Sequence, residues 1–271
     1  MTASNLKKMT RIKNKFAELK AENRKGFIPF ISAGDPDLAK TKDLVLLLAR
    51  LGSTVIELGV PFSDPMADGI VIQRASERAL KHNFGIGEIL DVVKEVRKET
   101  DVPIILFSYF NPLLQYGLEK LCADAKDAGV DGFLVTDLVP EEAEDFSNLL
   151  KANDLDMIFL VAPTSGDERL KMVAQRASGF IYAVSRTGVT GARETTSQSA
   201  EVLVERMKHF SDLPVAVGFG ISTAEQISET WQYADAAVVG SAIVREIEKF
   251  GADEDLVEKI EGFTRNLLPK N

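Results

Sequence analysis

The amino-acid sequence predicts a (β/α)8 barrel, and three observations support this fold class. Eight short apolar runs recur along the 271 residues, about 34 residues apart. The runs are rich in β-branched and aromatic residues and lack polar alternation, as is typical of strands buried on both faces. Amphipathic helical patterns lie between the runs. A doubly wound open sheet is the alternative fold, but it more naturally has about five or six strands.

The predicted strands and helices follow one another along the chain. The strands are predicted at residues 27–31, 54–58, 103–107, 132–135, 157–161, 180–184, 215–217 and 236–239. The helices are predicted at residues 39–51, 89–99, 118–128, 141–151, 167–177, 200–210 and 224–231. Gly52, Gly129 and Gly179 follow three of these helices, at or near the position where a helix commonly ends.

Residues 1–25 form a basic segment in an otherwise acidic chain. They carry eight Lys and Arg against two Glu, a net charge of +6, which leaves −15 on the rest of a chain whose total is −9. Apolar residues from Leu6 to Leu19 recur every three or four positions, which predicts one amphipathic helix. We interpret this segment as a first helix packed on the barrel, rather than as a targeting peptide or a membrane-surface helix. The whole chain, residues 1–271, is then expected to form a single domain.

The composition argues against several classes of protein. A pI near 5.0 disfavours a nucleic-acid binder, and no apolar run approaches the roughly 18 residues that a membrane span needs. Cys122 is the only cysteine, so the chain has no internal disulfide and no Cys-rich metal site. We therefore expect a cytoplasmic protein that binds neither nucleic acid nor membranes.

Glu57 is the first candidate catalytic residue. Function in such barrels resides where strands end and βα loops begin, and Glu57 lies in an otherwise apolar strand near such an end. Burial of its carboxyl group is expected to raise the pKa, which suits a Glu for acid–base chemistry near neutral pH. The alternative is a structural Glu paired with a basic residue, but the neighbouring predicted strands contain no Lys or Arg.

Asp64 and Asp68 follow in the loop after the second strand. Pro61 and Pro65 restrict the backbone of this loop, which helps to hold the two carboxylates in place. Turn formation alone also explains many loop Asp residues. Spacing therefore does not decide between a catalytic and a structural role for either residue.

Glycines at the tips of strands six to eight predict a phosphate site. In many barrels the loops after strands seven and eight bind phosphate together with a helix N-terminus. The segments Gly218-Phe219-Gly220 and Gly240-Ser241 match that layout, and Gly191 adds a third wall. Backbone amides and the helix dipole would hold the anion, with no Lys or Arg required.

Absent residue types narrow the chemistry further. No predicted strand contains a Lys, which argues against a Schiff-base aldolase. His82 and His209 lie in or beside helical stretches, so neither a metal site nor a His-centred triad is predicted. The chemistry that remains is a reaction without a cofactor, in which carboxylates act on a phosphorylated substrate. The spacing of the residues does not identify that substrate.

Five segments resemble the family of tryptophan synthase alpha subunits. They are FIPFISAGDP at 27–36, ELGVPFSDPMADG at 57–69, SRTGVTG at 185–191, GFGIS at 218–222 and GSAIV at 240–244. The matches run in order over about residues 27 to 245, and the second segment is highly specific. One departure is Ile70, where the family commonly has Pro; it leaves both acids in place.

The resemblance implies a lyase of L-tryptophan biosynthesis that splits indole-3-glycerol phosphate into indole and glyceraldehyde 3-phosphate by a retro-aldol step. Glu57 would protonate indole C3 and help to deprotonate the side-chain hydroxyl, and Asp68 would accept a hydrogen bond from the indole N–H. The residues implied to bind phosphate are Gly191, Gly220, Gly240 and Ser241. Those implied to contact the indole or glycerol portion are Phe30, Phe107, Leu134, Leu160, Tyr182 and Phe219, although an ordinary barrel core explains the apolar ones equally well.

The resemblance also implies a lid and a partner. The polar segment from Arg186 to Ser199 would close over the site, with Thr190 reaching Asp68, unless it is merely a disordered loop. This chain is expected to hold no cofactor, with pyridoxal phosphate only in a beta subunit of an α2β2 heterotetramer. The loop that carries Asp64 and the apolar strand-three loop at 110–116 are the expected partner surface, although they could equally fold back onto the barrel.

Two other functions remain open at this point. An isomerase of a phosphorylated sugar or anthranilate derivative would need a second acid or base at a strand end, and Asp137 could serve. A catalytically silent barrel that only activates a partner is the non-enzymatic alternative, and the presence of both Glu57 and Asp68 argues against it. The sequence does not distinguish a subunit from a stand-alone lyase.

Overall fold

The eight strands close into a parallel barrel. A computed structural model describes residues 10–185, 194–218 and 220–269 of the chain. Each strand pairs in parallel with the next, and the last pairs with the first, which confirms the predicted (β/α)8 fold. The strands are β1 (Gly26–Ser32), β2 (Ile56–Gly59), β3 (Ile104–Ser108), β4 (Gly132–Val135), β5 (Asp156–Val161), β6 (Ile181–Val184), β7 (Val215–Gly218) and β8 (Ala236–Val239).

Helices surround the barrel, and their apolar faces pack on the outside of the strands. In the described part of the chain none of them is long and apolar enough to cross a membrane. They are α1 (Arg11–Ala21), α2 (Leu38–Arg50), α3 (Ile70–Leu80), α4 (Ile86–Val96), α5 (Phe110–Tyr116), α6 (Leu118–Ala128), α7 (Glu144–Ala152), α8 (Asp167–Arg176), α9 (Glu194–Lys208), α10 (Ala224–Tyr233), α11 (Ser241–Phe250) and α12 (Leu256–Leu267).

Helix α1 covers the N-terminal end of the barrel. Its side chains Ile12, Phe16 and Leu19 are buried against the residues that fill the barrel interior. The Phe16 ring lies 5.9 Å from that of Phe180, and the Thr10 hydroxyl donates a hydrogen bond of 2.7 Å to Asp156. These contacts leave the opposite end of the barrel open for a site. That residues 1–271 form one domain stays a prediction.

The segment at 110–116 was expected to be a loop, and it is the short helix α5 instead. The Asp137 carboxylate accepts a hydrogen bond of 2.7 Å from the backbone N–H of Phe110, where the helix begins, and Leu113 is fully buried beneath it. Seven residues form only about two turns, too few for a clear helical period. Leu114 remains 48% exposed.

Three longer helices, α3, α11 and α12, were also not predicted from the sequence. The apolar residues at the start of α11 follow strand β8 after only Gly240. The strand and the helix therefore form one nearly continuous apolar run, whose two periods are difficult to separate. The failure to predict α3 and α11 matters for function, because these two helices flank the open end of the barrel.

Candidate active site

A cavity of about 330 Å³ lies at the C-terminal end of the barrel. Its walls come from the inner faces of the strands, from the loop after β2, and from the first turns of α3 and α11. The lining residues are Phe30, Glu57, Asp68, Gly69, Ile70, Val71, Ile72, Phe107, Tyr182, Gly220, Val238, Gly240, Ser241 and Arg245. The cavity thus brings together Glu57, Asp68 and three of the four residues implied to bind phosphate.

Glu57 is buried at the bottom of this cavity. It lies in β2 next to Phe30 of β1 and Ile105 of β3, and only 1% of the residue is exposed. Its atom Oε1 has no hydrogen-bond partner among the described residues. Burial therefore raises the pKa of this carboxyl group well above its ordinary value. A carboxyl group whose pKa is raised in this way holds a proton more readily than an exposed Glu does, which suits a general acid–base.

Asp68 lines the cavity from the loop after β2, and residues outside that loop hold it in place. The Tyr109 hydroxyl donates a hydrogen bond of 3.0 Å to Asp68 Oδ2, and accepts one of 2.9 Å from the backbone N–H of Ala67. The Gln73 side-chain amide donates a hydrogen bond of 2.9 Å to the Asp68 carbonyl. Burial raises the pKa of Asp68 to about 6, against the opposing effect of the Tyr109 hydrogen bond. Asp68 is consequently ionised at neutral pH and above.

Tyr109 is a site residue to which the sequence analysis gave no role. It directly follows β3, so it lies at the same end of the barrel as Asp68. Its position at a strand tip was visible in the sequence, but its contact with a residue 41 positions earlier was not.

Replacement of Tyr109 by Phe is expected to shift the pH dependence of any activity that needs ionised Asp68. The lost hydrogen bond favoured the ionised form, so its removal raises the pKa of Asp68 further above 6. The acid limb of the rate profile then moves to higher pH. Rates measured from pH 5.5 to 9 should show a larger loss at pH 6 than at pH 8.5, and an equal loss at both would contradict this role.

Apolar side chains form one wall of the cavity. The rings of Phe30 and Phe107 meet edge to face, with centroids 5.3 Å apart and planes at 80°, and Val71 and Ile72 of α3 pack against the same cluster. A flat aromatic ligand fits such a wall. Leu134 and Leu160 are not among the residues that line the cavity; both pack with the residues that fill the barrel interior.

Tyr182 lies beside Glu57 and leaves no space for a side chain at residue 218. A Cβ atom on Gly218 would lie 2.1 Å from the Tyr182 hydroxyl oxygen and 2.9 Å from Val238 Cβ. Burial, together with the charge of Glu57, raises the pKa of the Tyr182 hydroxyl. The hydroxyl group therefore stays protonated, and glycine at 218 is needed for it to sit there.

Gly218→Ala is accordingly expected to destabilise the protein by about 1–3 kcal/mol, the usual effect of overpacking. The penalty should be smaller in a Tyr182→Phe background, which removes the nearest atom. Gly262→Ala on α12 is the matched control, since a Cβ there meets nothing within 4 Å. Urea unfolding of the wild type, the two single variants, the double variant and the Gly262→Ala control tests this. Equal penalties in both backgrounds would show that the Tyr182 hydroxyl is not the obstacle.

Two of the glycines implied to bind phosphate, Gly220 and Gly240, follow β7 and β8. Strand β8 pairs with one edge of β1 and β2 with the other, so these glycines and the loop that carries Asp68 follow strands on the two sides of β1. Gly240 and Ser241 stand at the N-terminus of α11, where free backbone N–H groups and the helix dipole favour an anion. Gly220, after β7, adopts a positive φ of 84°. Four further predicted site residues, Arg186, Thr190, Gly191 and Phe219, lie outside the described residues, as does most of the expected lid.

The other acidic candidates lie away from the cavity. Asp64 is exposed on the loop after β2, where its carboxylate accepts a hydrogen bond of 2.5 Å from the Ser63 hydroxyl. Asp137 is bound to the start of α5. In the described ranges, no group of three or more His, Cys, Asp or Glu side chains is arranged to hold a metal ion.

The fold and this cavity define the class: a (β/α)8-barrel protein with an acid–base site at the C-terminal ends of its strands. Comparison with known proteins gives the family. The family model described as tryptophan synthase alpha chain matches residues 16–268, and the chain belongs to this family.

Relatives of the same family are similar to this chain over nearly its whole length. The tryptophan synthase alpha chain of Solibacter usitatus is 49% identical over 259 residues, which cover 96% of this chain and 97% of that one. That of Geobacter sulfurreducens is 52% identical over 246 residues, covering 91% and 93%.

Solved structures show the same fold. Tryptophan synthase subunit alpha from Legionella pneumophila superposes with a TM-score of 0.88 at 37% identity, covering 96% of this chain and 97% of that one. A chain from the tryptophan synthase α2β2 complex of Pyrococcus furiosus gives 0.83 at 40% identity, covering 89% and 97%.

Proposed function

We propose that this chain is a carbon–carbon lyase that cleaves indole-3-glycerol phosphate into indole and glyceraldehyde 3-phosphate in L-tryptophan biosynthesis. Membership of the tryptophan synthase alpha chain family supports this activity. The observation that carries the mechanism is the placement of Glu57, which is buried, has an unpartnered oxygen and lines the same cavity as Asp68.

Glu57 performs the proton transfers of this retro-aldol reaction. In its protonated form it donates a proton to indole C3, which leaves a positive charge on the ring nitrogen. The resulting carboxylate then takes the proton of the side-chain hydroxyl. The bond between C3 and the side chain breaks, its electron pair returns to the ring, and the former hydroxyl oxygen becomes the aldehyde oxygen. One residue both gives and receives a proton, so a raised pKa is required of it.

Asp68 stabilises the positive charge that develops on the indole ring. Its carboxylate accepts a hydrogen bond from the ring N–H, and this bond strengthens as the ring becomes cationic. An Asp with a pKa of about 6 is ionised at pH 7 to 8, as this role demands. The Tyr109 hydrogen bond keeps the carboxylate in the orientation that the ring nitrogen needs.

The remaining lining residues bind the substrate. Phe30 and Phe107 contact the indole face, Tyr182 lies near the glycerol, and the amides at Gly240 and Ser241 hold the phosphate. Gly191, Gly220 and Phe219 complete the proposed contacts, with Arg186 and Thr190 in the lid, whereas Leu134 and Leu160 lie behind the cavity wall and are not included. The reaction uses no cofactor in this chain, and pyridoxal phosphate belongs to the beta subunit. The proposed location is cytoplasmic.

The chain assembles with a beta subunit in an α2β2 complex. A relative of known structure, from Pyrococcus furiosus, forms such a complex. On this chain, Met66 in the loop after β2 is 91% exposed and Leu114 in α5 is 48% exposed. Both belong to segments that follow the C-terminal ends of strands, at the open end of the barrel. A partner placed there would receive indole directly.

A sugar-phosphate or anthranilate isomerase would need a second acid or base inside the cavity. Asp137 was the candidate for that group, but its Oδ1 accepts a hydrogen bond from Phe110 and the residue does not line the cavity. Product analysis tests the choice. The isolated chain and its mixture with a beta subunit are each incubated with indole-3-glycerol phosphate, and indole and glyceraldehyde 3-phosphate are quantified. Equal molar release of both supports the lyase, and an isomeric product without indole would overturn it.

A further inference from the structure

Arg245 lines the cavity, and the proposed reaction gives it no role. It lies on α11 four residues after Ser241, one helical turn from the N-terminus of that helix. Helical side chains tilt toward the N-terminus, so the guanidinium group extends toward Gly240 and Ser241. All three residues form one side of the cavity.

Among the described residues, no acidic group pairs with the guanidinium group of Arg245. In the part of the chain that the structure describes, Arg245 has neither an ion pair nor a hydrogen bond. Its neighbours differ in this respect. Arg74 and Arg78 of α3 both contact Glu248, at 3.5 and 2.9 Å, and Lys249 of α11 lies 3.9 Å from Glu246. Acidic groups on the same helix are thus taken by other cations, while Arg245 is left facing the cavity.

We infer that Arg245 binds the phosphate group of the substrate and sets the preference of the site for a phosphorylated ligand. This inference rests on the proposed function and adds a residue to its phosphate site. A guanidinium group binds phosphate oxygens through paired, charge-assisted hydrogen bonds. It supplies a full positive charge in a chain of net charge −9, next to the partial charge of the helix N-terminus. This proposal differs from the sequence-based expectation that backbone amides hold the anion without any Lys or Arg.

Steady-state kinetics of the Arg245→Gln variant test the inference. The KM for indole-3-glycerol phosphate should rise at least about tenfold, as expected for a lost hydrogen bond to a charged group. The kcat should stay within about twofold, since the reacting atoms are contacted by other residues. Arg245→Lys keeps the positive charge but cannot form the paired hydrogen bonds of a guanidinium group. Its KM should therefore lie between those of the wild type and Arg245→Gln. The wild-type KM should also rise more steeply with salt than that of Arg245→Gln.

Lys249→Gln is the matched control. Lys249 lies one turn further along the same helix, is 62% exposed and does not line the cavity. Its KM should equal that of the wild type. An unchanged KM in Arg245→Gln, or an equal rise in Lys249→Gln, would overturn the inference.

Calorimetric titration with glycerol 3-phosphate separates this inference from the proposed function, because it requires no turnover. If Arg245→Gln weakens binding of this probe at least tenfold while Lys249→Gln does not, Arg245 binds phosphate even if the protein were to release no indole. If the wild type releases indole and Arg245→Gln binds the probe with unchanged affinity, the lyase assignment stands and the role of Arg245 is wrong.

Discussion

Glu57→Gln is expected to lower indole release from indole-3-glycerol phosphate by at least about 10³-fold. The amide has nearly the same shape as the carboxyl group but neither donates its proton to C3 nor receives one from the hydroxyl. The KM should change little, because the substrate is held by other walls of the cavity. Single-turnover measurements of indole release test this, and activity within tenfold of the wild type would show that the acid–base lies elsewhere.

The same substitution should alter how stability depends on pH. The pKa of Glu57 is raised on folding, so its contribution to stability is fully present below about pH 4.5 and is lost as pH rises through the folded-state pKa. The stability of the wild type relative to Glu57→Gln should therefore fall from acidic toward alkaline pH, by up to about 1.4 kcal/mol per pH unit. Urea unfolding at pH 5, 7 and 9 measures this difference. A difference that does not vary with pH would contradict a buried, titrating Glu57.

Asp68→Asn is expected to lower kcat by about 10²- to 10³-fold, comparable to the loss of one group that stabilises transition-state charge. Asn still accepts the Tyr109 hydrogen bond through its oxygen, so the loop should keep its shape. The lost charge no longer stabilises the cationic ring. In the wild type the rate should fall as pH drops through about 6, because Asp68 becomes protonated. In the variant this limb of the profile should be absent.

Asp64→Asn is the matched control for Asp68→Asn. It changes the same residue type in the same loop, but Asp64 is exposed and does not line the cavity. The isolated chain should keep its rate within about twofold. An equal loss in both variants would attribute the effect to loop structure rather than to charge at the indole nitrogen.

The barrel was predictable because its strands are buried on both faces and so appear as uninterrupted apolar runs. Glu57 was predictable for the same reason, since a single carboxylate in such a run requires an explanation. Helix α11 was not predicted, because its apolar start merges with β8. Helix α5 begins where the backbone N–H of Phe110 donates a hydrogen bond to Asp137, and no local sequence pattern shows a contact between residues so far apart.

The site was less predictable than the fold, because its contacts join distant parts of the chain. Tyr109 acts on Asp68 through a hydrogen bond between two loops, and Arg245 reaches the cavity only because α11 begins at its edge. Leu134, in contrast, is apolar and lies on a strand, but it packs in the barrel interior and is not among the residues that line the cavity. The periodicity of apolar residues predicts which residues are buried. Only the three-dimensional structure distinguishes the residues of the barrel core from those that line the cavity.

The central claim is that Glu57 delivers the proton to indole C3, and isotope transfer tests it most directly. The wild type and Glu57→Gln are incubated with indole-3-glycerol phosphate in D2O, and the indole formed is analysed by NMR and mass spectrometry. Binding of glycerol 3-phosphate confirms that both proteins are folded. The mechanism predicts one deuterium at C3 of each indole that the wild type releases, and at least about 10³-fold slower release by Glu57→Gln. Release of C3-deuterated indole by Glu57→Gln at the wild-type rate would contradict it.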